Sequence, residues 1–384
     1  MRSFSVSLNA VSRTLCTIAG ISAVVAAAPV AAQQSLDNFT FHGSVTTGYG
    51  KSDGLGVFGV SKEGTFDYRA IALQFGYKFD SNDRVVVQLL HRGLGTSPLK
   101  SVMPELYPVY AFYEKKAKGF TFKAGRNPLP RGIYNEVRFI GTLLPLFRQQ
   151  MYQETLENID GLVVSRSFDL GGNWGFDANV FGGEFDIKYS IPTATTPIVG
   201  SVRAKNSLGT QLWLRTPIKG LRFGAFGDRF ETQPVGKAPK SPPQFMKLVS
   251  VDGDFSKFFA RGEFQNLSAG AGVKKSSYTN WYAQGGIKPS DKWTLLTEYN
   301  QAKSLLHPTP LPDIELNLQN DIAIAVNYTQ SANVRYKLEL HKADGYSFDS
   351  AVPTLVAPTK APFVMTPAPR SKAYYGILSI AVAF

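Results

Sequence analysis

Apolar and polar residues alternate along this chain in short, separated stretches. The stretch 38–49, NFTFHGSVTTGY, puts Phe39, Phe41, Val45 and Tyr49 on one parity and Thr40, His42, Ser44 and Thr46 on the other. Alternation over about ten residues predicts a strand with one apolar and one polar face. The pattern returns at 71–79, 84–92, 109–114, 120–125, 162–168, 174–181 and 208–216. It continues at 221–228, 246–251, 258–265, 278–288, 293–301, 322–329, 334–341 and 374–384, which makes sixteen segments. The links between them alternate in length. DSND, KKAKG, DLGGN, PIKG, DGDFS, PSDK and QSAN are tight, and eight longer links rich in Pro, Gly, Ser and Lys separate them. The longest are read at 126–160, 184–207 and 342–373.

Strict short–long alternation predicts an up-and-down meander, with every turn at one rim and every loop at the other. An even strand number brings both termini to the turn side. The predicted fold is therefore all-β, a transmembrane antiparallel up-and-down β-barrel of about 16 strands. A water-soluble solenoid or sandwich would share the alternation but not the sorting of the links. Trp174 and Trp293 directly follow short turns, and Phe79 and Phe168 directly precede them. Aromatic rings favour the water–hydrocarbon boundary expected there. Trp213 and Trp281 sit mid-strand and say nothing about depth.

The first residues and the composition narrow the setting. Residues 1–32 combine Arg2 and Arg13, a short alanine-rich apolar run and small side chains before Gln33, the three parts of a secretory signal. The barrel then occupies 33–384. The only cysteine, Cys16, leaves with the signal, so the exported chain has no disulfide to rely on. No later stretch of about twenty apolar residues could form a membrane helix. Removing the signal leaves 39 basic against 29 acidic residues. Export makes nucleic acid an unsuitable partner for that charge and leaves acidic surfaces or small anions.

The sharpest motif lies in the third long link. Gly125-Arg126, then Pro128 or Pro130, Gly132-Ile133-Tyr134-Asn135-Glu136 and Arg138 are followed by Leu144-Pro145, Gln150-Met151-Tyr152 and Asp160-Gly161. These residues resemble the third external loop of Gram-negative outer-membrane porins, and the architecture resembles that family over the whole exported chain. The step Arg148-Gln149-Gln150 departs from the pattern, where a shorter Pro-Gln step is expected. The resemblance implies a sixteen-stranded barrel in lipid and lipopolysaccharide, assembled as a homotrimer, with its third external loop folded into the lumen. The ending AYYGILSIAVAF, with Tyr374, Leu378, Ile380 and Val382 on one parity before Phe384, resembles the signal read by the outer-membrane assembly machinery.

Parity also assigns the lumen. The polar faces carry Lys78, Arg84, Arg92, Lys123, Arg215, Arg222, Arg261, Lys288, Arg335 and Lys337, against Asp177, Asp228, Glu263, Glu298 and Glu339. Such a bore raises the local concentration of anions. Arg126, Arg131, Arg138 and Arg148 in the link are expected at a constriction, where Glu136 and Glu154 would oppose them and set a transverse field. Arginine also holds carboxylates and phosphates through paired hydrogen bonds. The expected activity is passive diffusion of small hydrophilic solutes with a preference for anions. Some of the link arginines could instead pair with carboxylates and hold the loop. Four scattered histidines suggest no metal site, cofactor or catalytic group. Two other functions remain open: a non-conducting barrel for surface binding or adhesion, and a hydrolase using His42 or His341.

Overall fold

The structure is a computed structural model describing residues 38–152, 156–191, 197–233, 242–269, 276–307, 313–345, 349 and 371–384. The signal at 1–32 and Glu154 lie outside the described residues. The first eight strands are β1 (Phe39–Ser52), β2 (Thr65–Lys78), β3 (Asp83–Leu94), β4 (Leu106–Ala117), β5 (Phe120–Pro128), β6 (Asn158–Gly171), β7 (Trp174–Ile191) and β8 (Ile198–Arg215). The second eight are β9 (Leu221–Thr232), β10 (Gln244–Asp254), β11 (Phe258–Ala269), β12 (Ser276–Ile287), β13 (Trp293–Leu306), β14 (Ile314–Ser331), β15 (Val334–Gly345) and β16 (Ser371–Ala383). Each pairs antiparallel with the next, and β1 pairs with β16, so the sheet is a closed barrel.

Alternation sets the two faces. On β10, Phe245, Val249 and Val251 are exposed while Met246, Leu248, Ser250 and Asp252 are buried. Exposed and half-buried aromatics gather beside the short turns: Tyr77 against Phe79, Phe168 against Phe176, and Trp293 against Tyr328. No helix among the described residues is long and apolar enough to cross a membrane; crossing is by strands. Closure satisfies every ladder, and an apolar outer face suits hydrocarbon, which places the barrel in a bacterial outer membrane.

Closure depends on the last residue. Phe384 and Gly43 exchange backbone hydrogen bonds of 2.7 and 2.9 Å. The Phe384 ring lies so close over Gly43 that a Cβ there would stand 2.2 Å from it.

Several strands run longer than the segments read from sequence, and two of the differences bear on the long links. The link read at 184–207 is largely strand, since β7 and β8 form a long hairpin joined only by 192–197. Apolar side chains change face along β7, from outward Val180 to inward Phe181 and Phe185, and on β8 the register shift puts both Ala204 and Ser207 inside, which breaks the period and hides the continuation. The link read at 126–160 is narrower, because Arg126 and Asp160 are strand residues paired across β5 and β6.

Candidate functional site

Segment 129–157 leaves β5 at Pro128-Leu129-Pro130, where proline supplies no ladder donor and ends the strand. Its two ends are clasped together. Asn135, fully buried, donates from Nδ2 to the Leu129 carbonyl at 2.8 Å and to the Leu156 carbonyl at 3.0 Å. From that clasp the segment is tied to inward-facing side chains around the wall. Gly132 N donates to Gln211 of β8 (2.7 Å), Ile133 N to Glu263 of β11 (3.0 Å), and Tyr134 Oη to Gln284 of β12 (2.8 Å). Asn327 of β14 donates to the Pro145 carbonyl (2.8 Å), Lys337 of β15 to the Leu146 carbonyl (3.3 Å), and Phe147 N to Glu339 of β15 (2.7 Å). At Gly132 the backbone has φ +61°, and a Cβ would stand 2.1 Å from Tyr152 Oη and 2.4 Å from a Glu263 oxygen. Only glycine fits there.

Packing reinforces these ties. Leu129, Tyr134, Leu144, Met151 and Tyr152 join one buried cluster with Val163, Phe181, Phe226, Met246 and Leu248 from β6–β10. That stretch of inner wall is apolar, which a polar-lumen reading of strand parity does not anticipate. Phe147 stacks on Tyr68 of β2 with centroids 4.4 Å apart.

The six residues expected at a constriction are placed differently from one another. Arg126 lies in β5, in register with the outward-facing Ala111 and Asp160, and bonds Asp160 at 2.7 Å. Arg131 is 1 % exposed, bonds Gln265 at 2.5 Å and lies over the Tyr152 ring, and burial pulls its guanidinium down to about 10. Arg138 donates to Asn135 at 3.0 Å and to the Tyr152 carbonyl. Arg148 donates to the Gly93 carbonyl at 3.0 Å and lies over Tyr68 at 4.4 Å. Glu136 is exposed; the surrounding protein raises its carboxyl above the usual range, against the pull of Lys123 and Arg222. Glu154 is outside the described residues.

The wall cations Lys123, Arg92, Arg215, Arg222, Arg261, Arg335 and Lys337 all fall on the inward parity of their strands. Most are matched by acids. Arg92 pairs with Glu157 (2.6 Å), Arg215 with Asp177 (3.0 Å), Arg222 with Asp252 (2.8 Å), and Arg261 with Asp252 (2.9 Å) and Asp254 (2.6 Å). Arg222 also lies over the inward Trp213 ring at 4.2 Å. Lys337 is buried against the loop, and Arg335 donates to Thr329 at 3.3 Å. The inward acids Glu114, Asp252 and Asp321 add to the five counted from sequence. Asp252 and Asp321 sit one residue beyond the segments read there. The bore is therefore closer to charge balance than two cations per acid.

Glu157, from the loop, is buried beside the wall cation Arg92. Burial alone would raise its carboxyl, but Arg92 and Arg138 outweigh that and hold it down to about 2. Two cavities flank Arg148. One, of about 40 Å³, is lined by Arg92, Arg138, Arg148, Gln149 and the rings of Tyr134, Phe139, Phe147 and Tyr152 among others. The other, of about 20 Å³, is lined by Phe58, Arg148, Gln150, Glu298, Asp321, His341 and Tyr375.

Solved structures share this architecture. The anion-selective porin from Comamonas acidovorans matches with a TM-score of 0.54 at 11% identity, covering 90% of this chain and 99% of that one. Its fold is that of the outer-membrane porins. The outer membrane channel DcaP of Acinetobacter baumannii matches with a TM-score of 0.55 at 10% identity over 90% and 97% of the two chains. In-vitro folded OmpT, an outer membrane protein of Vibrio cholerae in a trimer form, matches with a TM-score of 0.53 at 11% identity over 90% and 99%. No protein-family model matches the sequence, nor does any curated protein sequence.

His341, read from sequence on a polar strand face, lies between Asp321 (2.9 Å) and Glu339 (3.3 Å) and stacks on Tyr375 at 4.3 Å; those partners are what sequence reasoning missed. The spacing Glu339-x-His341 places both on one strand face and was the available signal.

Proposed function

We propose that the protein is an outer-membrane channel for the passive diffusion of small hydrophilic solutes, and that segment 129–157 narrows its bore. The carrying observation is the convergence of Arg92, Arg138 and Arg148 on one cavity, with Glu157 the carboxylate that Arg92 and Arg138 face. Guanidinium groups in a confined, partly desolvated space favour anions, so carboxylates and phosphate should pass more readily than cations of equal size. Assembly as a homotrimer belongs to the same reading, as does engagement of the outer-membrane assembly machinery through Phe384. His341, held by two carboxylates and a ring, supports a structural role over a hydrolytic one.

One observation favours a second reading, a non-conducting barrel with external loops as its working part. Inward wall residues such as Asn300 (0 % exposed) and Glu263 (3 %) are covered rather than bathed in water. Planar-bilayer recording in a salt gradient separates the two. The channel reading expects a reversal potential on the anion side, reduced in Arg148→Gln. A reversal potential on the cation side would reject the anion preference.

A further inference from the structure

We propose that the link 53–64 forms a second wall of the constriction, and that Phe58 at its tip limits how bulky a solute can pass. The proposal rests on the channel reading and assigns a size-limiting residue outside segment 129–157. The link joins β1 to β2 and folds inward. Val57 and Val60 are 0 % exposed and pack with Tyr68 of β2 and with Tyr375 and Ile377 of β16. Phe147 of segment 129–157 belongs to the same cluster, so the two inward segments brace each other.

The tip is a two-residue turn. Val57 and Val60 exchange backbone hydrogen bonds of 3.0 and 2.9 Å. Phe58 has φ +53° and Gly59 φ +91°, so both central residues are left-handed. That geometry suits Asn, Asp or Gly at the first position, and a phenylalanine there is strained. Such strain persists where the surroundings impose it, and it points to a use for the side chain. Here Gly59 N donates to Asp349 Oδ2 at 2.5 Å, and Asp349 N donates to the Gly56 carbonyl at 2.8 Å. Thr96 N donates to the Gly59 carbonyl at 3.0 Å. Gly59 is also pressed against β3, where a Cβ would stand 2.1 Å from the Leu94 carbonyl oxygen.

The strained residue is the one that meets the bore. Phe58 packs against the buried cluster yet stays half-buried, and it lines the cavity of about 20 Å³ beside Arg148. Glu298 of β13, Asp321 of β14 and His341 of β15 close that cavity from the wall. Phe58 therefore stands between segment 129–157 and the wall of β13–β15. Anchoring does not require its ring, since Val57 and Val60 already fix the link and a smaller residue would make the turn at less strain. An aromatic ring is rigid and adds bulk without charge, so it narrows a polar passage by size.

The test is swelling of liposomes carrying the folded barrel, with arabinose and sucrose as neutral solutes of different bulk. Neutral probes report size apart from any charge preference. Phe58→Asn and Phe58→Gly both accept the left-handed backbone and remove the ring. Each should raise the rate for sucrose relative to arabinose, and Phe58→Tyr, which keeps the ring, should leave the native ratio. Two ring-free variants keep the test decisive if one of them misfolds. A native ratio in folded Phe58→Asn or Phe58→Gly would overturn the proposal, while swelling by the native protein would leave the channel reading standing. No swelling by the native protein with either solute would reject the channel reading, and the proposal with it.

Discussion

Glu157 shows how a single side chain anchors the candidate site. It is buried, bonded to Arg92 at 2.6 Å and to Tyr107 at 2.7 Å, and approaches Arg138. Removing one partner of a buried pair leaves the other charge uncompensated, at a cost of about 3–5 kcal/mol. Glu157→Gln should therefore lower the thermal unfolding midpoint while leaving the barrel count of strands intact. The pH dependence has a definite sign. A carboxyl held down to about 2 contributes its full stabilisation above the usual carboxylate range and loses it as pH falls toward 2. Acid titration should thus loosen the 129–157 clasp first in the native chain, and the Glu157→Gln variant should lack that acid step. Strand parity alone put Arg92 and Arg261 on the inner face, because a two-residue period needs no partner to be read. The pairing of Arg92 with Glu157 was not legible, since it joins residues distant in sequence, and that of Arg261 with Asp252 and Asp254 was hidden because both acids fall in DGDFS, read as a turn.

At the scale of elements, the inserted segment was visible as an irregular stretch among alternating ones, and its place as the third long link followed from counting. What it packs against was not visible. The apolar inner wall of β6–β10 reads in sequence as strands apolar on both faces, with no sign that a loop covers one of them. The β7–β8 hairpin was likewise hidden, because apolar residues pass from the outer to the inner face between Val180 and Phe185 and the β8 register shifts between Ala204 and Ser207. Gly132 ties the insert to the wall: its φ of +61° and the nearby Tyr152 and Glu263 leave no room for a methyl group. Gly132→Ala should destabilise the protein by about 1–3 kcal/mol through backbone strain and displaced contacts. Chemical denaturation checks this; an unchanged midpoint would mean that the segment does not bear on the wall at Gly132.

For the whole molecule, strand number, closure and the sorting of turns and loops were legible because a membrane barrel repeats one simple unit. The charge of the bore was less so, because strands that run past the ends of their sequence segments brought in Asp252 and Asp321. The central claim is that an otherwise open sixteen-stranded barrel is narrowed by segment 129–157. Single-channel recording of the native protein beside a folded variant lacking residues 139–149 tests it most directly, since that deletion spares the Asn135 clasp. The account predicts stepwise conductance from the native protein and larger steps from the variant. Silence from the native protein, or steps of equal size in both, would contradict it.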